Sequence, residues 1–258
     1  MTAPDQPQTA STENELSKRL LAHGFDRRTV LQALGFGAMA AAGTGVATAR
    51  HDSGHPPRLD PYYGYSMPTP ERLPGSRSPD ASVGLHVHLE ALEDGDPTTI
   101  PFHFSPMGLR VETGGIVQFD FQTPEHTVTA YHENQGRQRR VPEDVPPFSS
   151  PVIGAGGSWL YQFDTPGTYD LFCAPHEFFG MVMRVVVGDP DDPAYDGTVG
   201  PTSPQGPRPP VSRPALTGLG ITSFPFPTAQ DVFETDALSV QNIDDQGTVS
   251  VETIEDDL

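Results

Sequence analysis

Between residues 83 and 188 no stretch of the sequence carries a helical period with caps, and short alternating segments take its place. In SVGLHVHLEAL, Val83, Leu85, Val87 and Leu89 alternate with Gly84, His86, His88 and Glu90, the period of a half-buried strand. The segments FHFSP, LRVETGG, IVQFDFQ, HTVTAYH, SWLYQF, TYDLFC and MVMRVVVG follow. Gly, Pro and Asp turn signals separate them at the spacing of an all-β sandwich or barrel. Trp159, Tyr161 and Phe163 alternate within one segment and read as sandwich packing. The expected fold is an all-β sandwich over residues 83–188.

The flanks differ in texture. DRRTVLQ brings the paired Arg27 and Arg28, followed by an apolar, small-residue-rich run ending in Ala47-Thr48-Ala49, an A-x-A cleavage pattern. Residues 1–49 resemble a twin-arginine export signal, so the expected location is extracellular or at the cell surface, with a membrane tether if the signal stays uncleaved. Residues 50–82 are Pro-rich, lack a sustained period and read as a linker. From Asp189 to the end, 13 acidic residues face 2 basic ones in a Pro-rich tail. Such a segment is expected to be largely disordered over 189–258, because it offers little apolar surface to offset its ordering entropy.

Charge narrows the function classes. The whole chain has 15 basic and 34 acidic residues, a net −19, the reverse of a nucleic-acid binder. Its single lysine lies at position 18, and an acidic, lysine-poor surface suits solubility in high salt, the habit of a halophile. Arg137, Arg139 and Arg140 form the one basic cluster of the central region; they are expected to pair locally with Glu143 and Asp144 or to dock an acidic partner. His86 and His88 share a strand face about 6–7 Å apart. They are read as solvent-exposed, with an adventitious metal as the other possibility.

Chemistry concentrates in CAPHEFFGM, which contains the only cysteine of the chain, Cys173, and so excludes an intrachain disulfide. The thiol of Cys173 would close the strand TYDLFC, with His176 and Met181 supplied by the loop that follows. A thiolate, an imidazole and a thioether form a soft ligand set, and a second histidine would complete a mononuclear blue-copper site. His126, just after a strand and a Thr-Pro-Glu turn, is the candidate. His132 lies six residues further on, roughly 20 Å along a continuous strand, too far to serve the same ion. Zinc is disfavoured by the methionine, and a dinuclear copper centre would need two cysteines. A buried structural cysteine beside an incidental histidine is the plainer alternative.

LFCAPHEFFGM, with its C-x2-H-x4-M spacing, resembles the copper loop of the cupredoxins: plastocyanin, pseudoazurin and halocyanin. PFHFSPMGLRVETGGIVQFDF resembles that family's paired strands, and PEHTV its first-ligand segment; together they cover roughly residues 100–188. The resemblance implies a Greek-key cupredoxin sandwich holding one type 1 copper per chain. By resemblance, His126 and His176 supply imidazoles, Cys173 the thiolate and Met181 the axial thioether. Thr127 departs from the asparagine that helps knit the two ligand loops in plastocyanins, a difference that bears on potential and loop rigidity. YHENQGRQRRVPEDVPPFSS reads as an elaboration of the family's variable connection. Pro175, Phe178 and Phe179 could form the apolar patch through which electrons enter or leave.

The implied function is that of an exported, monomeric one-electron carrier cycling between Cu(II) and Cu(I) with redox partner proteins. It is not expected to be an enzyme, since no nucleophile motif, phosphate-cradling loop or carboxylate pair has supporting context. The alternatives are a copper-delivery protein without a redox circuit, and a cell-surface interaction module whose binding element is the acidic tail.

Overall fold

The computed structural model describes residues 59–67, 79–88, 98–197 and 208–258. The expected signal segment lies outside these residues, as does most of the linker. Ten strands form two five-stranded sheets. The first has the order β1-β7-β5-β2-β3, built from β1 (Tyr65–Met67), β7 (Ser158–Phe163), β5 (Gly115–Phe121), β2 (Ala81–Val87) and β3 (Phe102–Ser105). The second has the order β10-β4-β9-β8-β6, from β10 (Thr248–Val249), β4 (Gly108–Val111), β9 (Val182–Val187), β8 (Gly167–Phe172) and β6 (Thr129–Ala130). From β3 to β8 successive strands alternate between the sheets, which leaves β2 parallel to β5 and β4 parallel to β9. This is the expected all-β Greek-key sandwich.

Period-two patterning explains the core. Val83, Leu85, Val117, Phe119, Phe121, Trp159, Tyr161 and Phe163 point inward from the first sheet. Leu109, Val111, Tyr169, Leu171, Met183, Val185 and Val187 meet them from the second. Within the expected linker, residues 65–67 pair with β7 as an edge strand, and Leu59 and Met67 cover Leu160 on the outer face. That stretch is therefore bound to the sandwich, anchored further by Trp159 Nε1 donating to Tyr63 O at 2.7 Å.

The acidic tail is low in regular structure, as expected, but part of it is not free of the sandwich. Residues 208–258 are packed on it. They form four short helices, α1 (Arg213–Gly218), α2 (Ala229–Phe233), α3 (Val240–Gln246) and α4 (Val251–Glu255), besides β10. The reason lies in β8 and β9, every residue of which is buried. Both faces of the second sheet therefore need cover. Phe172, Val182 and Val186 point away from the sandwich core and bury against Val232, Phe233, Leu238, Ile243 and Ile254. Strand β10 pairs with β4 and forms the edge of that sheet, and Arg110 Nε reaches Asp244 Oδ1 of α3 at 2.7 Å.

Charged residues on that covered face are paired. Asp170 and Arg184 are register partners on β8 and β9, and Asp170 also receives Arg140 Nε at 2.7 Å. The Arg140 and Arg184 guanidiniums lie over the Phe233 ring. The basic cluster is thus dispersed, and not onto Glu143 and Asp144 side chains as expected. Arg140 pairs with Asp170, Arg139 with Glu133, and Arg137 with Glu177. Glu133 is a local partner, six residues from Arg139, whereas Asp170 and Glu177 are brought from 30 and 40 residues away by the fold.

Helix α2 begins with a capping box. Asp231 N donates to Thr228 Oγ1 at 3.4 Å, and Thr228 N donates to Asp231 Oδ2 at 2.8 Å. Thr228→Ala should cost about 1 kcal/mol, seen as a melting temperature lower by roughly 2–4 °C in a circular-dichroism melt. An unchanged melt would mean that α2 is held by its apolar face alone.

Candidate metal centre

Cys173 follows β8 directly, and residues 173–181 form the connection from β8 to β9, whose Phe172 and Val182 are register partners. Backbone bonds close this loop. Cys173 N donates to Met181 O at 3.0 Å, and His176 N donates to Cys173 O at 3.1 Å. A single 3₁₀ turn, Glu177–Phe179, follows His176, and Gly180 then takes φ = 79° to turn the chain into Met181. A side chain at Gly180 would meet both that left-handed conformation and Pro227 O at 3.1 Å. The other loop leaves β5, and Glu125 adopts φ = 68° before His126. An L residue there carries strain of order 1–3 kcal/mol.

These loops bring His126, Cys173 and His176 together, all buried. Cys173 Sγ lies 3.6 Å from His126 Nδ1 and 3.4 Å from His176 Nδ1, and the two Nδ1 atoms are 3.2 Å apart. A point equidistant from these three atoms is about 2 Å from each, a metal–ligand bond length. One thiol and two imidazoles suit copper, so the residues present fit the ion. Met181 is fully buried at the end of the same loop. His132 is not part of the group. It is buried rather than exposed, and caps the turn at Glu133–Gln135 by accepting from Asn134 N at 3.0 Å.

Surrounding groups fix the two rings. His126 Nε2 is 2.8 Å from Thr123 Oγ1, so its outer nitrogen is engaged while Nδ1 faces Cys173. Such a contact sets which ring nitrogen keeps its proton. The His176 ring stacks on Phe102, centroids 4.0 Å apart and 10° between planes. Thr127 ties the loops together: its N–H donates to Cys173 Sγ at 3.4 Å, and its Oγ1 accepts from Ala174 N at 2.8 Å. The hydroxyl thus performs the knitting associated with asparagine in plastocyanins. Sequence reasoning noted Thr127 as a departure and missed Thr123 and Phe102 altogether. Phe102 comes from β3, remote in sequence from His176, whereas Thr123 lies only three residues before His126 in the same loop.

Burial tunes the centre in one direction. It pushes the Cys173 thiol up to about 12, opposed by the Thr127 and His176 backbone N–H groups. It pushes His126 down to about 3, helped by the neighbouring His86 and His103, and holds His176 well below the ordinary imidazole range. Without metal the site is therefore neutral, and binding as the thiolate releases the thiol proton.

The loop is also sealed from outside. Phe179 is buried, and Phe178 and Phe179 pack against Phe224, with Phe226 adjoining Phe179. Glu177 accepts from Arg137 Nη2 at 2.6 Å, Arg208 Nη2 at 3.1 Å and the Tyr131 hydroxyl at 3.0 Å. The expected open patch of Pro175, Phe178 and Phe179 is thus largely roofed by residues 208–227. Ala174, which is exposed, and Pro175, half-buried, form the remaining outer rim.

Residues 92–188 match the family model of copper binding proteins of the plastocyanin/azurin family. Over these residues the chain resembles a cupredoxin domain. A putative pseudoazurin of Rhizobium leguminosarum is 33% identical to this chain over 86 residues, 33% of this chain and 51% of that protein. Pseudoazurin of Paracoccus pantotrophus is 34% identical over 86 residues, 33% of this chain and 53% of that protein. The chain thus spans about half the length of these curated relatives. Among solved structures, native pseudoazurin from Hyphomicrobium denitrificans is 26% identical, covers 43% of this chain and 76% of its own, and has a TM-score of 0.34. The loop that carries Cys173 and His176 and the loop that carries His126 both fall within the matched residues.

Proposed function

We propose that this chain is an exported mononuclear blue-copper electron carrier, with His126, Cys173, His176 and Met181 as the ligands of one copper ion. The buried triangle of two Nδ1 atoms and one Sγ carries this reading. Copper in such a site supplies a one-electron Cu(II)/Cu(I) couple. The chain's own contribution is to hold its ligands still in both states. Phe102 and Thr123 fix the imidazoles, and Thr127 ties the thiol loop to the first-histidine loop. The Thr127 N–H donated to Sγ stabilises negative charge on sulfur. Burial excludes water, so little reorganisation accompanies electron transfer. Electrons would pass at the rim of Ala174 and Pro175, to redox partner proteins docking on a monomer. The Arg27-Arg28 leader supports export by the twin-arginine route.

The test is to add Cu(II) to the chain in high salt and record visible and electron paramagnetic resonance spectra, with Cys173→Ser alongside. Intense visible absorption with a narrow copper hyperfine splitting is expected, and should be lost completely in the variant. A colourless protein with ordinary Cu(II) signals would sink the reading. Reversible cyclic voltammetry then separates a carrier from a protein that only hands copper on.

A further inference from the structure

Three more histidines share one face at the edge of the first sheet. His86 and His88 are two apart at the end of β2 and so point the same way, and His103 on the edge strand β3 is the register partner of His86. The rings of His88 and His103 have centroids 4.5 Å apart at 73°, and those of His86 and His103 are 5.3 Å apart at 10°. The pair at the Cys173 centre has much the same relation, 4.9 Å at 63° for His126 and His176.

His103 is the member that calls for an explanation. It is only 2% exposed, and its Nδ1 has no hydrogen-bond partner among the described residues. A buried polar atom left so costs on the order of 1–3 kcal/mol, and native folds rarely keep one without a use. What stands beside it is two further imidazoles. A cradle holds one of them. A Cβ at Gly84 would come within 2.4 Å of His86 Nε2 and 3.0 Å of Gln122 Nε2, so the missing side chain is the space in which His86 sits. The carboxylate of Glu252, on α4, lies within electrostatic reach of both His103 and His88 and would help to balance a cation.

We propose that His86, His88 and His103 form a second metal site, separate from the Cys173 centre, for a divalent ion of the zinc or copper(II) kind. Imidazole suits those ions, and the absence of sulfur among these three side chains disfavours Cu(I). His103 is the fixed ligand, set by the core. His88 is exposed and His86 half-buried, and because the three imidazoles do not converge on one point as they stand, both of these rings would turn to reach the ion. The cluster holds without reference to copper at Cys173, since it shares no residue with that centre.

The test uses the full chain, first given one equivalent of copper and then titrated with Zn(II) in a calorimeter. A parallel titration of Cys173→Ser makes the outcome independent of the blue centre. A further equivalent of Zn(II) should bind in both. His88→Ala should weaken it at least about tenfold, and His86→Ala with His88→Ala should abolish it, with the visible spectrum of the copper-loaded chain unchanged. Both positions are accessible, so folding is not at stake, and a circular-dichroism spectrum checks it. Failure to bind Zn(II) beyond the first equivalent, or equal binding in the histidine variants, would overturn the site.

Discussion

Asp170→Asn should destabilise the protein by about 3–5 kcal/mol, lowering the melting temperature by on the order of 10 °C. Asp170 is fully buried and accepts Arg184 Nε at 2.7 Å, Arg184 Nη2 at 3.0 Å and Arg140 Nε at 2.7 Å. An amide in its place removes the charge and leaves two guanidiniums, both nearly buried, without a counter-ion. The cost measures that stranded charge, not the net worth of the network, which desolvation reduces. Asp170→Asn combined with Arg184→Met should therefore recover part of the loss. Differential scanning calorimetry decides it: a shift of only a degree or two in the single variant would mean that solvent reaches the pair. Burial alone would raise this carboxyl, but Arg184 and Arg140 outweigh it and hold it below the ordinary range. Its contribution is then complete above the unfolded value near pH 4 and is lost only as pH falls through the depressed folded value.

The histidines impose a different acid limit. His103 is lowered to about 4 and His126 to about 3, burial being the main cause in each, and His176 lies well below 6.5. In the unfolded chain each takes up a proton near pH 6.5. Below that value the unfolded state binds protons that the native state refuses, so stability falls as pH falls. The window runs from 6.5 down to about 4 for His103 and about 3 for His126. Each contributes about 1.4 kcal/mol per pH unit within it, so metal-free protein should lose on the order of 5 kcal/mol between pH 7 and pH 5. Urea midpoints at the two pH values read this directly. A pH-independent midpoint would show that these rings accept protons in the folded state. Copper bound to the native state alone should flatten the fall.

How much could be read from the sequence varied with the range of the interactions. Strands β2 to β9 fall on the short segments that turn residues delimit, and the spacing of Cys173 and His176 follows from one loop. The cover formed by residues 208–258 was not legible, because its helices run only five to seven residues and lie among prolines and acids. A cue was nonetheless present. MVMRVVVG is too continuously apolar for a sheet with one wet face, so something had to cover the other. Asp170 and Arg184, one charge in the middle of each neighbouring strand, were a second cue, since opposed charges inside buried strands seek one another. His103 stayed unremarked because FHFSP reads simply as a strand, and only the register with β2 shows which histidines it joins.

The roof over the Cys173 loop is built from a stretch of chain that is synthesised after the loop it covers. Arg208, Phe224 and Phe226 contact residues 31 to 47 positions earlier, and β10 pairs with β4 across well over a hundred residues. Contacts of such long separation form late, after loop-closure entropy has been met. A ribosome-bound chain can therefore assemble the inner sandwich while one face of β8 and β9 is still bare. That face stays bare until residues 208–258 emerge, and the thiol loop stays accessible until its roof follows. Order of synthesis thus separates two events that the finished fold superimposes: the three ligand side chains can meet first, and the door closes behind them.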